Sequence, residues 1–256
     1  DHEIVEDFVS AVLGKIGLDG HSTYSVTRGL CQASLRGVDS HGIRLLPHYV
    51  EMAITKRIKG DPNLTVIKDR SGAMVIDGDN GFGHAAGFFA VKKGLERVKS
   101  SGALLINIIN SNHPGALAPM ALHAAESGAI CLIFANADSL MSSPGTNQTF
   151  FGTNPICLAA PRAVENPVCI DMATTMFTWN KLLRFKDDGL FLPPGVAIDA
   201  NGEDVVDPNM AVALKPIGSY KGFCLAAMVE MLTSVLGSMR FGTEIPKMYE
   251  EGDSDG

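Results

Sequence analysis

Short runs of apolar and β-branched residues alternate with stretches of helical periodicity through the middle of the chain, and this alternation restricts the possible folds most. Strands are predicted at 64–67, 74–76, 104–109, 130–135, 156–159 and 168–170. Helices are predicted between them, at 85–99 and 117–126. Strands interleaved with helices are typical of the α/β class. We therefore expect a mixed sheet flanked by helices.

The first 62 residues are predicted to form a separate, helical region. Apolar residues at positions 4, 5, 8, 9, 12 and 13 repeat with helical spacing, and a second helical stretch runs from Ser22 toward Leu35. The sequence Gly60-Asp61-Pro62 then breaks the pattern. We expect a helical N-terminal layer at 1–62 and an α/β region at 63–256.

The composition excludes several classes of protein. A chain of 256 residues with 46% hydrophobic residues can bury a large core, which excludes a disordered chain and a disulfide-stapled minidomain. The net charge of −7 offers no basic surface to nucleic acid or to an anionic membrane. The five cysteines are odd in number and far apart in the sequence, which indicates a reducing cytoplasm. The acidic opening DHEIVEDF is unlike a signal peptide, and no stretch has the ~18 uncharged apolar residues that span a membrane.

The stretch 222–237 predicts a helix that is apolar on almost every face, with Glu230 as its only charged residue. Such a helix must be buried, yet only the acidic RFGTEIPKMYEEGDSDG follows its last residues. We expect the cover to come from chain beyond Gly256 or from a second subunit, most simply in a two-fold dimer.

A glycine-rich motif, Gly81 to Gly87, follows a predicted strand and opens a helix, where a dinucleotide fingerprint would lie. Its spacing is GxGxxxG rather than GxGxxG, and the next strand ends at Asn110 rather than at an acidic residue. We therefore reject a Rossmann unit and expect the glycines to serve a tight strand-to-helix turn.

Two of the seven histidines lie in polar, turn-like contexts, His41 in DSHG and His113 in SNHPG. Histidine can give or take a proton near neutral pH, and the adjacent Ser40 can fix the tautomer of His41. A structural role is the alternative for each histidine. A metal site is not favoured, because the spacing of His41 and His48 fits neither HxH nor HExxH.

Two further segments can bind a ligand or support a catalytic histidine. Asp171 follows a predicted strand in VCIDMATT, where a carboxylate can orient a catalytic histidine or accept a ligand hydroxyl. An N-cap for the next helix is the alternative. The proline-rich stretch 186–220 is predicted to be mostly loop and leads to GSYKG, where Lys221 begins the last helix. The N-terminus of a helix carries a partial positive charge that repels a lysine, and an anion bound there would be attracted by both positive groups. A solvated lysine is the alternative.

The motifs RGVDSHG, SNHPGA, FGTNP, DMATT and GSYKG, in this order over most of the chain, resemble the type 2 malate/L-lactate dehydrogenase family. That family includes ureidoglycolate dehydrogenase, diketogulonate reductase and sulfolactate dehydrogenase. The resemblance implies a non-Rossmann oxidoreductase that uses NAD or NADP, interconverts a small 2-hydroxy acid and its 2-oxo acid, and forms a homodimer. It also implies that the α/β region binds cofactor and substrate and that its C-terminal part is incomplete.

The resemblance assigns roles to individual residues. Proton transfer falls to His41 or His113, with Ser40 and Asp171 as the other catalytic residues. Substrate binding falls to Arg44 and Tyr49. Cofactor contacts are expected from Lys221, Asp171, Met172, Ala173, Thr153 and Asn154.

The chain departs from the family pattern near the first histidine. The family usually has an arginine four residues after it, but Leu45 stands there and Arg44 stands one residue earlier. On a helix, positions i+3 and i+4 share a face, so Arg44 can still bind the substrate carboxylate. The rival hypotheses are a catalytically weak binding or structural protein derived from the family and, with less support, a histidine-based metal hydrolase.

Overall fold

The computed structural model describes residues 1–248, which divide into two compact units. The first unit contains residues 1–133 and 157–171, and the second contains residues 134–156 and 172–248. Residues 249–256 of the predicted acidic tail lie outside the described residues. The boundary predicted between residues 62 and 63 stays a prediction.

The described chain contains both helices and strands, in an order that follows the predicted alternation. The α-helices are α1 His2–Lys15, α2 Gly20–Leu35, α3 Leu46–Ile54, α4 Gly83–Ser101, α5 Ala118–Glu126, α6 Trp179–Asp187 and α7 Tyr220–Glu230. The strands are β1 Thr65–Arg70, β2 Ala73–Gly81, β3 Leu105–Ser111, β4 Cys131–Phe134, β5 Met141–Ser142, β6 Thr149–Phe151, β7 Ile156–Ala160, β8 Val168–Met172, β9 Ala197–Ile198 and β10 Ala213–Leu214. The expected α/β class is confirmed, and its strands are distributed over three small sheets.

The N-terminal helical layer is confirmed. Helix α2 begins after Asp19, whose carboxylate accepts a hydrogen bond from the backbone N–H of Ser22 at 2.6 Å and so satisfies one of the unpaired donors of the first turn. Val9 and Leu13 of α1 are buried, as are Val26 and Leu30 of α2, so both helices contribute an apolar face to the core.

The first sheet of this unit is mixed. Strand β1 pairs with β2 in antiparallel orientation, and β2 pairs with β3 in parallel orientation, with Ile76 opposite Ile108. Met74 and Ile76 on β2 form a buried cluster with Ala90 of α4, the helix that connects β2 to β3. This arrangement places the ends of β2 and β3 next to each other, and the histidine motif SNHPG follows β3.

The glycine motif allows close packing of α4. A Cβ atom on Gly83 would lie 2.1 Å from the backbone oxygen of Asn112, and a Cβ atom on Gly87 would lie 2.1 Å from Sδ of Met120 on α5. Side chains at these two positions would push α4 away from its neighbours. The two glycines therefore allow α4 to pack closely against neighbouring segments of the first unit.

In the second unit, four short strands form a sheet in the order β6-β5-β10-β9. Helix α6 was not predicted, because it is only nine residues long, although Trp179, Leu182 and Leu183 follow helical spacing. The predicted long loop 186–220 is mostly irregular: it overlaps the end of α6 and the first residue of α7, and the two-residue strands β9 and β10 lie within it.

Within the described residues the last helix is covered on one side only, and the source of its remaining cover stays a prediction. Ala226 and Val229 have no exposed surface, but α7 and the π-helical segment that continues it, Met231–Val235, also present an apolar face to solvent. The exposed apolar side chains on this face are Met228, Met231, Leu232, Val235 and Leu236, each between 41% and 56% exposed. Among residues 1–248, no helix is long and apolar enough to cross a membrane.

Candidate active site

The segment that carries His41 consists of two short 3₁₀ turns, Asp39–His41 and Ile43–Leu45, placed against the end of α2. The hydroxyl of Ser34 on α2 accepts a hydrogen bond from the backbone N–H of Ile43 at 3.0 Å. A Cβ atom on Gly42 would lie 2.1 Å from that hydroxyl oxygen, so the glycine allows the chain to come this close. The DSHG motif is thus fixed on α2 rather than free in solvent.

The two histidines singled out by sequence lie side by side. The ring centroids of His41 and His113 are 5.7 Å apart, with their planes inclined by 31°. The Ser40 hydroxyl lies 2.9 Å from Nδ1 of His41. Within residues 1–248, no further hydrogen bond is made by either histidine ring beyond the one at its Nδ1, so each Nε2 is left to bind another molecule.

His113 is held by a buried tyrosine and by the loop that precedes it. The hydroxyl of Tyr49, a fully buried residue of α3, lies 2.8 Å from Nδ1 of His113. The adjacent Asn112 donates through Nδ2 to Oδ1 of Asn80 at 2.8 Å, and its backbone N–H donates to the oxygen of Gly81 at 3.1 Å. The contact of Tyr49 with substrate stays a prediction, because the structure describes the contact of this residue with His113.

Burial keeps the histidines of this cluster neutral at pH 7. Desolvation lowers the pKa of His41 to about 4 and lowers the pKa of His113 well below its ordinary value, with neighbouring His41 adding to the effect on His113. A neutral imidazole with an uncommitted Nε2 is a proton acceptor. The pair is therefore suited to take a proton from a hydroxyl group, and it can return that proton in the reverse direction.

Asp171 acts as a remote helix cap. Its carboxylate accepts hydrogen bonds from the backbone N–H groups of Leu117 and Ala118, at 3.0 and 2.8 Å, at the start of α5. Burial of the carboxyl group raises the pKa of Asp171, while the two backbone N–H groups act in the opposite direction. Because α5 follows directly on the loop of His113, Asp171 stabilises the chain just beyond the histidine. The helix that Asp171 caps is the earlier α5 and not the next helix, α6, whose N-cap is Thr178, and a catalytic use of Asp171 stays a prediction.

The arginine that departs from the family pattern is accessible. Arg44 is exposed, whereas Leu45, at the usual arginine position, is buried. A buried leucine cannot bind a carboxylate, while an exposed guanidinium can present two donors to both oxygens.

The other predicted cofactor residues lie in the second unit. Lys221 is exposed in the first turn of α7, and the preceding Gly218 and Ser219 have left-handed backbone conformations, with φ of 56° and 59°. A Cβ atom on Gly222 would lie 2.4 Å from the backbone oxygen of Ile217, so the glycine is required for this tight turn into the helix.

Thr153 and Asn154 are tied into the second unit by hydrogen bonds. The oxygen of Thr153 accepts from the backbone N–H of Thr174 at 2.8 Å. The Asn154 side chain is fully buried, donates to Oε2 of Glu230 at 2.7 Å and accepts from the N–H of Ala137 at 3.1 Å. The contact of Asn154 with a cofactor stays a prediction. Met172 is exposed and Ala173 is partly exposed, so both are accessible to a ligand.

The residues at the start of α7 fit an anionic cofactor. The cationic Lys221 lies in the first turn of α7, which has no side-chain cap, while the backbone N–H groups of Lys221 and Gly222 donate to the oxygens of Gly218 and Ile217. A dinucleotide carries negative charge, which the positive end of the helix dipole and the lysine both attract. In the described part of the chain, no group of three or more His, Cys, Asp or Glu residues is arranged to hold a metal ion.

Comparison with known proteins decides the family. The sequence model of the malate/L-lactate dehydrogenase family matches residues 1–256, the whole chain. The chain belongs to the malate/L-lactate dehydrogenase family. Among its relatives, a malate dehydrogenase of Pyrococcus abyssi is 32% identical, with 96% of this chain and 71% of the relative covered.

Two other members of the malate/L-lactate dehydrogenase family are named with their cofactors. A ureidoglycolate dehydrogenase (NAD(+)) of Escherichia coli is 27% identical over 98% of this chain and 70% of its own length. A (2R)-3-sulfolactate dehydrogenase (NADP(+)) of Chromohalobacter salexigens is 30% identical over 97% of this chain and 75% of its own length. Relatives in the family thus use NAD or NADP.

The fold of the malate/L-lactate dehydrogenase family is confirmed by a solved structure. The crystal structure of a malate dehydrogenase from Entamoeba histolytica superposes with a TM-score of 0.91 at 28% identity, covering 96% of this chain and 72% of that one. The expected non-Rossmann α/β fold is that of this family.

Sequence reasoning missed one residue of the histidine cluster. His84 was considered only as part of the rejected glycine motif, yet its ring is fully buried and lies against Tyr49 with centroids 5.5 Å apart. The signal that could have identified it is the unusual position of a histidine between glycines at the start of a predicted helix.

Proposed function

We propose that this chain is an NAD(P)-dependent oxidoreductase that interconverts a small 2-hydroxy acid and its 2-oxo acid, malate, lactate and ureidoglycolate being examples of the class. The observation that carries the proposal is the adjacent pair His41 and His113, each bound at Nδ1 and open at Nε2. Membership of the malate/L-lactate dehydrogenase family supports the same chemistry.

In the oxidative direction, the substrate hydroxyl proton passes to Nε2 of one of the two histidines while the hydrogen on C2 leaves as hydride. The bound nicotinamide supplies the hydride acceptor. For His113, a proton on Nδ1 that is donated to the Tyr49 oxygen leaves Nε2 free to accept. After the transfer, the imidazolium retains this hydrogen bond and can protonate the 2-oxo acid in the reverse reaction.

Charge complementarity supports the proposed substrate and cofactor contacts. We propose that Arg44 binds the substrate carboxylate, because a guanidinium offers a planar pair of donors to two oxygens. We propose that Lys221, at the positive end of the α7 dipole, binds the cofactor phosphates, with Met172, Ala173 and Thr153 as further contacts.

The test is oxidation of NADH and NADPH in the presence of pyruvate, oxaloacetate and other 2-oxo acids, and reduction of NAD and NADP with the matching 2-hydroxy acids. We expect turnover that depends on both the acid and the cofactor. Cofactor binding without turnover of any acid in either direction would instead support a weak, family-derived binding protein.

Two further properties belong to this proposal. We propose a homodimer, supported by the exposed apolar face of α7, which a second copy can cover. We also propose a cytoplasmic location, supported by five cysteines that are all free thiols.

A further inference from the structure

His84 is a buried histidine to which the proposed mechanism gives no role. Its side chain has no exposed surface, and neither ring nitrogen has a hydrogen-bond partner in the part of the chain that the structure describes. Burying a polar ring without partners costs free energy that an apolar residue of similar size would not. The stability of the fold therefore does not account for a histidine at this position.

The ring of His84 is enclosed by two glycines. A Cβ atom on Gly29 of α2 would lie 2.2 Å from Cδ2 of His84, and a Cβ atom on Gly115 would lie 2.5 Å from Nε2. Any side chain at either glycine would occupy the space of the imidazole. The ring is thus packed on two sides and cannot change its orientation without moving the backbone.

His84 contacts the surroundings of His113 by two routes. Gly115 is two residues beyond His113 in the same loop, so His84 packs against the chain that carries the catalytic ring. Tyr49, whose hydroxyl binds Nδ1 of His113, packs on His84 in an edge-to-face arrangement with an angle of 77° between the rings. The residue just before His84 reinforces this arrangement, because Gly83 packs against Asn112 on the other side of His113.

We propose that His84 is a positioning residue that fixes the Tyr49–His113 pair in the geometry required for proton transfer with the substrate. This inference rests on the proposed function. Burial lowers the pKa of His84 to about 3, so the ring is neutral at pH 7 and adds no positive charge beside His113. The His84 ring packs against Tyr49 and against the loop that carries His113. Together these two contacts determine the tautomer and the orientation of the His113 ring.

The test is a double-mutant cycle between His84 and Tyr49. His84→Leu keeps a similar volume but removes the flat ring, and we expect kcat to fall about 10-fold to 30-fold while KM for the cofactor stays within about 3-fold. In a Tyr49→Phe background, the hydroxyl that His84 positions is already absent, so His84→Leu should lower kcat by less than about 3-fold. A loss of kcat of the same size in both backgrounds would overturn the inference, because it would show a general structural effect.

Two controls accompany the cycle. His123→Leu makes the same change at a partly buried histidine of the first unit whose ring packs on Phe88, and it should leave kcat within about 2-fold. If His84→Leu does not fold, His84→Met takes its place in the cycle, because the flexible side chain of methionine fills irregular space.

A measurement that does not depend on turnover separates this inference from the proposed function. In ¹⁵N spectra of histidine-labelled protein, His113 should show one tautomer, with the proton on Nδ1, and His84→Leu should convert it to a mixture. If no acid is turned over but this change is seen, the proposed function fails and the positioning role stands. If acids are turned over but the His113 signals are the same in both proteins, the positioning role fails.

Discussion

The hydroxyl of Tyr49 lies 2.8 Å from Nδ1 of His113, although 64 residues separate them in the chain. Tyr49 belongs to α3 of the helical layer, and His113 lies in the loop after the third strand of the first sheet. The candidate site therefore forms only when the helical layer packs against the α/β part of the same unit. This dependence links the stability of the first unit to the expected chemistry.

The first prediction concerns proton transfer. His41→Gln should lower kcat by ~2 to 4 orders of magnitude, because the variant loses the imidazole that we expect to exchange a proton with the substrate, while the dissociation constant of the cofactor stays within a few-fold. Steady-state kinetics and cofactor titration measure the two quantities. The matched variant is His113→Gln. If His41→Gln retains turnover and His113→Gln does not, the proton is carried by His113.

The second prediction concerns the cofactor. Lys221→Ala should weaken NAD(P)H binding about tenfold or more, and the loss should be greater at low ionic strength because salt screens the attraction between exposed charges. Fluorescence titration at two salt concentrations measures the effect. Lys186→Ala removes an exposed lysine from α6 of the same unit and serves as the control. Equal dissociation constants for Lys221→Ala and the unmodified protein would make Lys221 a solvated surface residue.

The third prediction concerns the substrate carboxylate. Arg44→Lys should raise KM for the acid about tenfold and leave cofactor binding unchanged, because an ammonium group cannot form the paired hydrogen bonds of a guanidinium. Arg70→Lys, at an exposed position on β1, provides a matched control. An unaltered KM in Arg44→Lys would assign carboxylate recognition to another residue.

The fourth prediction concerns pH and stability. The pKa of His41 is about 4 in the folded protein and ordinarily 6.5, so the unfolded chain binds more protons between these values. The free energy of unfolding should therefore be greatest above about pH 6.5 and fall as the pH drops toward 4. His84 and His113, whose pKa values are also lowered by burial, act in the same direction.

Denaturant unfolding at pH 7 and pH 5 tests this dependence. His41 alone should contribute a loss of about 2 kcal/mol between these two values, an amount that His41→Gln should remove. Between pH 7.5 and 9 the three histidines should contribute no slope, which provides an internal control. An unfolding free energy that rises as the pH falls from 7 to 5 would contradict the prediction.

The fifth prediction concerns assembly. A second copy that covers the apolar face of α7 should be displaced by a charge there, so Val235→Glu should convert a dimer into a monomer in light scattering. Val235 is 53% exposed, and Met210→Glu makes the same kind of change at a residue of the second unit that is 57% exposed. If the unmodified protein is a monomer that is stable to dilution, the proposed homodimer is wrong.

The sequence determined the fold class and most of the elements, because local periodicity and turn chemistry encode them. The helical spacing at positions 4–13 matches α1, and the apolar runs that precede Asn110 and Asp171 match β3 and β8. Helix α6 was missed although Trp179, Leu182 and Leu183 follow helical spacing, because nine residues are too few for periodicity to be recognised in the sequence. The motifs DSHG and SNHPG also identified the family resemblance, because their residues are suited to proton transfer and are not required by a local helix or strand.

Tertiary structure alone decided which of these residues meet. The sequence shows neither that Tyr49 binds His113 nor that Asp171 caps a helix that begins 53 residues earlier, because both contacts depend on how separate elements pack. It also does not show that His84 lies between Gly29 and Gly115, because the sequence does not distinguish a glycine required by a turn from a glycine required by close packing. Local patterns fix the backbone of each element, but the neighbours of a side chain are fixed by long-range packing, and the candidate site is made of such neighbours.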